Sequence, residues 1–453
     1  MDINYTDMLS RKLDNFIEKH YANNKSALLL KGARQVGKTS AIRKYARKQK
    51  MNLIEINFYE DDSACGIFKG SQNAKDVLLR ISAHTKKKTS LPNTMIFFDE
   101  VQKCPEVITW IKFLVDEGSC KYALSGSLLG VELKGVESVP VGYMSVKEVF
   151  PLDIEEFSRC LGLSDEVLTS VGEAFEKKIP VDEVVHAALM KMIHLYLVVG
   201  GMPAAVQAYV DTNDLNVVEE KQKEILDLYK WDISQYDPNK KLEINEIFNL
   251  IPSELDAKNK RFILKNLNEH ARFSRYENSF LWLKNAGVAI PTLNIQEPTF
   301  SFKLNELRNL FKLFRNDVGL LTGILYGNNV RPVLNDMRSI NLGSVYENAV
   351  AQELASHGHK LFYYDNRSKG EVDFLIDDHN TISVLPVEVK SGKDYTKHSA
   401  LDNFMKVPDY HISSALVLND DREIRVVNNV TYAPVYNVMF LSAKEQNPED
   451  LIF

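Results

Sequence analysis

A phosphate-loop pattern constrains this chain more than any other stretch of its sequence. Residues 32–39 read Gly-Ala-Arg-Gln-Val-Gly-Lys-Thr and fit G-x-x-x-x-G-K-[ST] at every fixed position. The apolar run 27–30 before them indicates a buried strand, and residues 40–50 after them have the pattern of a helix. A strand, this loop and a helix in succession predict an α/β P-loop nucleotide-binding fold.

The loop's residue types indicate what it would bind. Glycines let backbone N–H groups turn towards phosphates, and the following helix presents its positive dipole end to the same anion. Lys38 is placed to contact the β- and γ-phosphates as a catalytic group, and Thr39 to offer its hydroxyl to Mg²⁺. We therefore predict ATP and Mg²⁺ as cofactors; an ordinary glycine-containing turn is the alternative. The residues predicted to surround the nucleotide are Gly32, Ala33, Arg34, Gln35, Val36, Gly37, Lys38, Thr39 and Ser40.

A second buried strand carries the acidic half of this predicted site. The run 95–98 reads Met-Ile-Phe-Phe and ends in Asp99 and Glu100, which resembles a Walker B motif. We expect Asp99 to hold the Mg²⁺ shell, and Glu100 to orient or deprotonate the attacking water, the role of a base in hydrolysis. An exposed acidic turn is the competing interpretation.

Length and composition limit the classes of function. A chain of 453 residues is expected to form about three domains. Its formal net charge of -6 gives no overall basic field, so any contact with nucleic acid must be local. The four cysteines show no metal-ligand spacing and are predicted to be reduced, buried thiols. No apolar run reaches the roughly eighteen residues of a membrane span, so a cytoplasmic protein with no membrane partner is expected.

The middle of the chain is predicted to be helical and then to resemble a DNA-binding module. Residues 151–238 have a helical pattern broken by Gly-Gly-Met-Pro at 200–203, as in a helical lid. Residues 243–290 look like a winged helix-turn-helix, with helices over 244–248, 261–268 and 274–285. Between residues 256 and 284 seven Lys or Arg face three Asp or Glu, a net of +4. That favours a phosphate-contacting face, although a protein-docking module is an equal alternative.

The C-terminal region carries a possible metal site. Asp373 lies in a predicted strand, and Glu388 and Lys390 follow about fifteen residues later with the spacing of PD-(D/E)xK nucleases, while Glu347 lies on a preceding helix. Residues two apart on a strand share a face, so Glu388 and Lys390 would line one site. Asp373, Glu388 and Glu347 could hold Mg²⁺ that activates water, and Lys390 could stabilise developing charge. The alternatives are a nuclease-like fold without catalysis and ordinary exposed strand ends.

Taken together, these motifs resemble a known family over nearly the whole chain: the prokaryotic AAA+ ATPases whose C-terminal domain of unknown function resembles a PD-(D/E)xK nuclease. The motif Ser125-Gly126-Ser127 contributes to this resemblance, which implies that Ser125 is the polar sensor 1 residue beside the γ-phosphate. A plain strand-to-loop turn is the alternative at this position. It also implies a homo-oligomer. Many members have an arginine where Tyr143 follows Gly142 here, so no arginine finger is assigned.

The resemblance implies a fold and a domain order. The fold class is an α/β P-loop NTPase (AAA+) core with a helical lid, a winged helix-turn-helix and a C-terminal restriction-endonuclease-like α/β domain. The corresponding boundaries are 1–150 for the core, 151–238 for the lid, 239–300 for the winged helix, 301–340 for a connector and 341–453 for the nuclease-like domain.

Three functions fit these predictions. The leading hypothesis is an ATP hydrolase that couples turnover to DNA binding or remodelling. The second is a regulatory ATPase switch that binds a protein partner. The third is an ATP-gated, Mg²⁺-dependent nuclease.

Overall fold

The structure, a computed structural model, describes residues 9–127, 142–236, 239–299, 302, 305–336, 342–366, 370–378, 383–392 and 395–443. The chain forms two compact units. The first comprises residues 1–150 with 281–288, and the second comprises residues 151–280 with 289–453. The predicted lid, winged helix, connector and C-terminal domain therefore lie in the second unit, apart from residues 281–288.

The first unit is a parallel sheet with helices between its strands. Five strands pair in the order β2-β3-β4-β1-β5, and every pair is parallel. The strand predicted at residues 140–150 is observed as Met144–Glu148, with 140 and 141 outside the described residues. The elements are α1 (Lys12–Asn23), β1 (Ala27–Lys31), α2 (Lys38–Lys48), β2 (Asn52–Asn57), α3 (Ala74–Thr85), β3 (Thr94–Asp99), α4 (Glu106–Glu117), β4 (Lys121–Gly126) and β5 (Met144–Glu148).

The inner strands of this sheet are apolar because both of their faces are covered. All six residues of β3 are buried, and the rings of Phe58 and Phe98 stack with centroids 6.1 Å apart. Ile108 and Ile111 of α4 are fully buried in the same core. Because parallel strands run in one direction, the residues that follow β1, β3 and β4 meet at one edge of the sheet. That edge is where the predicted nucleotide residues lie.

The second unit begins with helices, as the sequence predicts. The Gly-Gly-Met-Pro break separates two of them, and the Leu152 N–H donates to the Gly201 carbonyl over 2.6 Å. A Cβ on Gly201 would lie 2.0 Å from the Leu152 oxygen, so this close approach requires glycine. The helices are α5 (Ile154–Cys160), α6 (Asp165–Glu176), α7 (Glu183–Val199), α8 (Pro203–Thr212), α9 (Leu215–Tyr236) and α10 (Lys241–Asp256).

Helices α7 and α8 are the most apolar pair of this region. No single helix of the described residues has both the length and the hydropathy to cross a membrane. The two helices meet that criterion only when they are taken together, across a bend of 119°.

An eight-stranded sheet forms the rest of the second unit, in the order β12-β13-β11-β10-β9-β8-β6-β7. Strands β6 and β7 form an antiparallel hairpin, and β6 pairs in parallel with β8. Residues from the predicted winged helix and connector thus share one sheet with the C-terminal strands. The elements are α11 (Phe273–Asn285), β6 (Ala289–Ile295), β7 (Glu306–Arg315), α12 (Val318–Tyr326), α13 (Arg331–Leu334), α14 (Gly343–Ser356), β8 (Phe362–Asn366), β9 (Gly370–Asp378), β10 (Ser383–Val389), α15 (Ser399–Met405), β11 (Ala415–Asn419), β12 (Arg425–Val427) and β13 (Val430–Pro434).

The prediction of a middle helix of the helix-turn-helix over residues 261–268 is wrong. Only a short 3₁₀ helix, Leu264–Asn266, forms there. The Phe262 N–H donates to the Phe311 carbonyl of β7 over 3.0 Å, and the Glu254 carboxylate accepts from the Ile263 N–H over 2.8 Å. These tertiary hydrogen bonds take backbone donors that a helix would otherwise use, and they hold the segment extended beside the sheet.

The cysteine prediction is also wrong for one pair. Cys65, in a 3₁₀ helix after β2, is disulfide-bonded to Cys104, which follows β3. Cys120 and Cys160 are free thiols. The pair was not detectable from spacing, because the two residues are 39 apart in sequence and meet only when β2 and β3 pair.

Candidate nucleotide site and candidate metal centre

The phosphate loop joins β1 to α2 through unusual backbone angles. Gln35 and Gly37 have φ values of 62° and 94°, and α2 begins directly after Gly37. A Cβ on Gly32 would lie 2.2 Å from the Val149 carbonyl oxygen. Both fixed glycines of the motif are therefore required locally, Gly32 by close packing and Gly37 by its left-handed conformation. The first turn of α2 lies at the end of the loop, and the backbone N–H groups of a helix N-terminus favour an anion.

Lys38 lies against this loop. Its side-chain nitrogen donates to the carbonyl oxygens of Gly32 and Ala33 over 2.9 and 2.7 Å. Although it is charged, Lys38 is only 6% exposed. An ammonium group held beside a glycine loop and a helix N-terminus makes the site cationic, as phosphate binding requires.

Thr39, Asp99 and Ser125, predicted separately from three stretches of sequence, meet at the sheet edge. The Thr39 hydroxyl donates to Asp99 Oδ2 over 3.0 Å, and the Ser125 hydroxyl donates to Asp99 Oδ1. Burial raises the pKa of Asp99, and the two hydroxyl donors act in the opposite direction. A hydroxyl and a carboxylate side by side are the hard oxygen ligands that Mg²⁺ prefers, so these residues fit that ion.

Glu100 follows Asp99 in a left-handed conformation, with a φ of 58°. Its carboxylate accepts from the Gln102 amide and from the Ser127 hydroxyl, the latter over 3.4 Å. It also lines a cavity of about 220 Å³ with Arg34, Gln35, Asn57 and Tyr59. A carboxylate in an outlying backbone conformation at a cavity suits the predicted base.

Sequence reasoning missed several residues around this cavity. Tyr59 lies under the Arg34 guanidinium, with 5.0 Å from its carbon to the ring centroid. Asn57 ends β2 and pairs in register with Asp99, so its position at the end of a neighbouring strand was the available signal. Gln102, which holds Glu100, had no motif to mark it, and Ser127 was part of the Ser125-Gly126-Ser127 motif but was given no role.

The second site lies in the second unit, where β9 and β10 run antiparallel. Asp373 Oδ2 accepts from the Val389 N–H over 2.9 Å, which brings Asp373 beside the strand that carries Glu388. The Lys390 ammonium donates to Glu388 Oε1 over 2.6 Å. Glu388 Oε2 is buried and has no hydrogen-bond partner in the part of the chain that the structure describes. Burial, and secondly the Asp373 charge, raise the pKa of Glu388 to about 8.

These three residues border a cavity of about 270 Å³ that is rich in charge. Two carboxylates beside a lysine have the donor chemistry for a divalent cation and a phosphate. The lining residues are Lys258, Lys260, Glu371, Asp373, Glu388, Lys390, Lys397, His398, Ser399 and Ala400.

Glu347, predicted as a metal ligand, contacts two lysines. Lys260 donates to its Oε1, and Lys312 lies 3.5 Å from its Oε2. Lys312 is fully buried on β7, 2.5 Å from Glu371 and 3.8 Å from Asp373. Burial alone would lower the pKa of Lys312, but the carboxylates of these acidic residues raise it. Sequence reasoning missed this lysine, although a charge inside the apolar run Phe311–Phe314 was a signal.

The predicted basic face over 256–284 is partly neutralised. Lys260 pairs with Glu347, and Arg261 Nη1 lies 3.3 Å from Asp365 Oδ2. Two of its seven cations therefore already have acidic partners in the second unit, which reduces the charge available to a polyanion.

Comparison with known proteins agrees with the first site. Residues 24–158 match the family described as AAA domain. Residues 190–329 and 342–438 match two domains of unknown function, DUF8612 and DUF4143. No curated protein matches the chain. The chain therefore contains an AAA-type ATPase domain with a P-loop α/β core, as predicted.

Solved structures of ATPases show a more distant similarity. A Walker-type ATPase of Pyrococcus abyssi is 15% identical, covers 73% of this chain and 96% of its own, and has a TM-score of 0.41. The Aeropyrum pernix ORC1 protein in complex with DNA is 14% identical over 72% and 91% of the two chains, with a TM-score of 0.26. The Thermotoga maritima RuvB Holliday junction branch migration motor is 14% identical over 61% and 87%, with a TM-score of 0.28. Scores this low carry no argument about function.

Proposed function

We propose that this protein binds and hydrolyses ATP with Mg²⁺ and couples turnover to DNA binding or remodelling. The contact of the Thr39 hydroxyl with the Asp99 carboxylate beneath the phosphate loop carries the ATPase part of the proposal. It brings together the two oxygen ligands expected of a P-loop Mg²⁺ site, from motifs sixty residues apart.

Each residue of the site has a separate task in this proposal. Lys38 binds the β- and γ-phosphates, and Thr39 and Asp99 would hold Mg²⁺, which offsets the charge that develops on the phosphates. Glu100 orients the attacking water and accepts its proton, held in place by Gln102 and Ser127. Ser125 fixes one oxygen of Asp99 and so keeps the other directed at Thr39.

The DNA part of the proposal rests on cations in the second unit. Lys258 and Lys397 line the cavity beside Asp373 and Glu388, from segments far apart in sequence. Lysines around a carboxylate pair suit a phosphodiester, which needs both a cation shell and a metal ligand. The second candidate function is a regulatory switch that binds a protein partner. It is favoured by the ion pairs of Lys260 and Arg261, which reduce the positive charge that the basic face could offer to DNA.

ATP hydrolysis with and without DNA tests the leading proposal. We expect wild type to hydrolyse ATP faster with duplex, single-stranded or branched DNA, and Glu100→Gln to bind ATP without turning it over. Glu60→Gln, an exposed carboxylate of the same unit, is the matched control and should behave as wild type. Turnover indifferent to every DNA would favour the protein-partner switch, and proteins retained by ATP-bound Glu100→Gln would then identify the partner.

The charged cavity of the second unit favours a further candidate function, a metal-dependent nuclease gated by ATP. Asp373 and Glu388 would hold the ion, and Lys390 would stabilise charge on the phosphodiester. Plasmid cleavage with Mg²⁺ or Mn²⁺ should disappear in Asp373→Ala and Glu388→Ala, whereas the exposed control Glu423→Ala should cleave normally. Cleavage that persists in both cavity variants would reject these ligands.

We further propose a cytoplasmic homo-oligomer. AAA-type sites are commonly completed by an arginine in trans, and no arginine of this chain is assigned that role. Light scattering on Glu100→Gln with and without ATP tests the assembly; a monomer under both conditions would contradict it.

A further inference from the structure

Buried lysines occupy the acidic cluster of the second unit. Four carboxylates form this cluster: Lys312 lies within 4 Å of those of Glu347, Glu371 and Asp373, and the charge of Asp373 acts on the fourth, Glu388. Three lysines, Lys260, Lys312 and Lys390, pair with them. The three lysines therefore match three of the four carboxylates in number, and the fourth, Glu388, has a raised pKa.

Lys312 differs from the other two lysines in its burial. Its side chain is fully buried, and it reaches Glu347, Glu371 and Asp373 from a strand of the sheet. Lys260 lies outside a helix or strand, at a φ of 48°, and its side chain is 19% exposed. The Lys390 side chain is 31% exposed, so Lys312 is the one of these three lysines that the surrounding packing shuts off from solvent.

The two ends of the cluster offer different surroundings to a cation. An ion shared by Glu347 and Asp373 would need to lie about 2.1 Å from an oxygen of each, yet the Lys312 ammonium is already 3.5 and 3.8 Å from those carboxylates. The Glu388 end is different, because Oε2 is buried without a hydrogen-bond partner among the described residues, and Glu388 borders the cavity. The cluster therefore has one place for a further cation, and it lies at Glu388.

We propose that Lys312 is a built-in cation that takes the place of a second metal ion, so that this site holds one divalent ion, between Asp373 and Glu388. Glu347 then positions lysines and is not a metal ligand. The inference rests on the proposed metal site and specifies its ligands and its capacity. A divalent ion at Glu388 would displace the proton of that carboxyl group, so that four carboxylates, three lysines and one ion sum to +1. A second ion would leave +3 in a largely buried cluster, which is disfavoured.

Mn²⁺ binding to the full chain without nucleotide tests the number of ions. Calorimetric titration should show one ion per chain in wild type that is lost in Glu388→Gln and in Asp373→Asn. The difference between wild type and Glu388→Gln removes any contribution from the ATP site. Glu347→Gln should keep that ion with less than a threefold change in affinity. Loss of the ion in Glu347→Gln, or loss of two ions in Glu388→Gln, would overturn the proposal.

Two lysine variants separate a built-in cation from an ordinary ion pair. Lys312→Met should bind a second Mn²⁺ and show a larger Mn²⁺-dependent rise in melting temperature than wild type. Lys260→Met, the control, should still bind one ion because Lys312 remains. If Lys312→Met folds poorly, Mn²⁺ should restore its folding, and failure of Mn²⁺ to do so would reject the role of Lys312. If wild type and Glu388→Gln bind Mn²⁺ identically, the proposed metal site itself fails.

Discussion

Gly287, which follows α11, lies against the phosphate loop although no motif connects the two. A Cβ at this position would lie 2.8 Å from the Ala33 backbone nitrogen and 3.4 Å from the Gly32 carbonyl carbon. Both atoms are backbone, so the loop itself would have to move. We therefore expect Gly287→Ala to weaken ATP binding from a position far outside the nucleotide motifs.

The magnitude follows from two separate costs. Gly287 has a φ of 72°, and an alanine in this region costs about 1–2 kcal/mol in free energy of unfolding. The clash with the loop adds about 1–3 kcal/mol, the usual cost of overpacking. For each 1.4 kcal/mol of this clash energy that is relieved by displacing the phosphate loop, ATP binding weakens about tenfold.

Gly70 provides the matched control. It belongs to the same unit and has nearly the same φ, 70°, but no atom of the described residues lies within 4 Å of a Cβ placed there. Gly70→Ala should therefore show the first cost alone and bind ATP as wild type does. Denaturant unfolding and titration with a fluorescent ATP analogue measure the two effects. If both variants lose the same stability and keep wild-type ATP affinity, the contact of Gly287 with the loop has no energetic consequence, and the reasoning is refuted.

Three further predictions follow from buried charges. Lys38→Ala should abolish binding of a fluorescent ATP analogue, and tight binding would remove the ATP site assignment. Burial lowers the pKa of Arg315 to about 9, and its guanidinium carbon lies 3.6 Å from the Phe248 ring centroid. Two of its nitrogens have no hydrogen-bond partner among the described residues. Arg315→Met should therefore leave the unfolding free energy unchanged or raise it by about 1–4 kcal/mol, and a clear destabilisation in urea would contradict this. Burial raises the pKa of Asp317 to about 6, so the folded state holds its proton more tightly. Protonated Asp317 stabilises the fold fully below about pH 4, and this contribution falls by about 3 kcal/mol as pH rises through 6. The unfolding free energy of wild type should therefore fall relative to that of Asp317→Asn between pH 4 and 6. Parallel curves of unfolding free energy against pH would refute this prediction.

The nucleotide site was predictable because its chemistry is local in sequence. A glycine loop, a lysine and a threonine must be adjacent to wrap a phosphate, so Gly32, Gly37, Lys38 and Thr39 are readable as one pattern. The position of Asp99 in the site was also predictable, because a carboxylate that follows a buried apolar strand lies at the edge of the sheet. The structure brings it to Thr39 through the order of parallel strands.

Hydrogen bonds between distant segments decided the middle of the chain. Residues 261–268 have helical spacing, yet Glu254 and β7 take their backbone donors and only a 3₁₀ turn remains. Helix propensity is a weak preference, and tertiary contacts of this kind override it. The same holds for the basic face, where Lys260 and Arg261 found acids that no local pattern connects to them.

The sequence by itself predicted the phosphate loop, the oxygen groups of Thr39 and Asp99 beside it, and the shared face of Glu388 and Lys390. In each case the groups are close in sequence or lie at the ends of recognisable strands. Only the tertiary structure decided that Gly287 supports the phosphate loop and that Lys312 lies among Glu347, Glu371 and Asp373. The physical reason is that a buried charge needs partners that the fold brings close in space, and a close backbone contact depends on the same folding. Neither can be inferred from how far apart the residues are in the sequence.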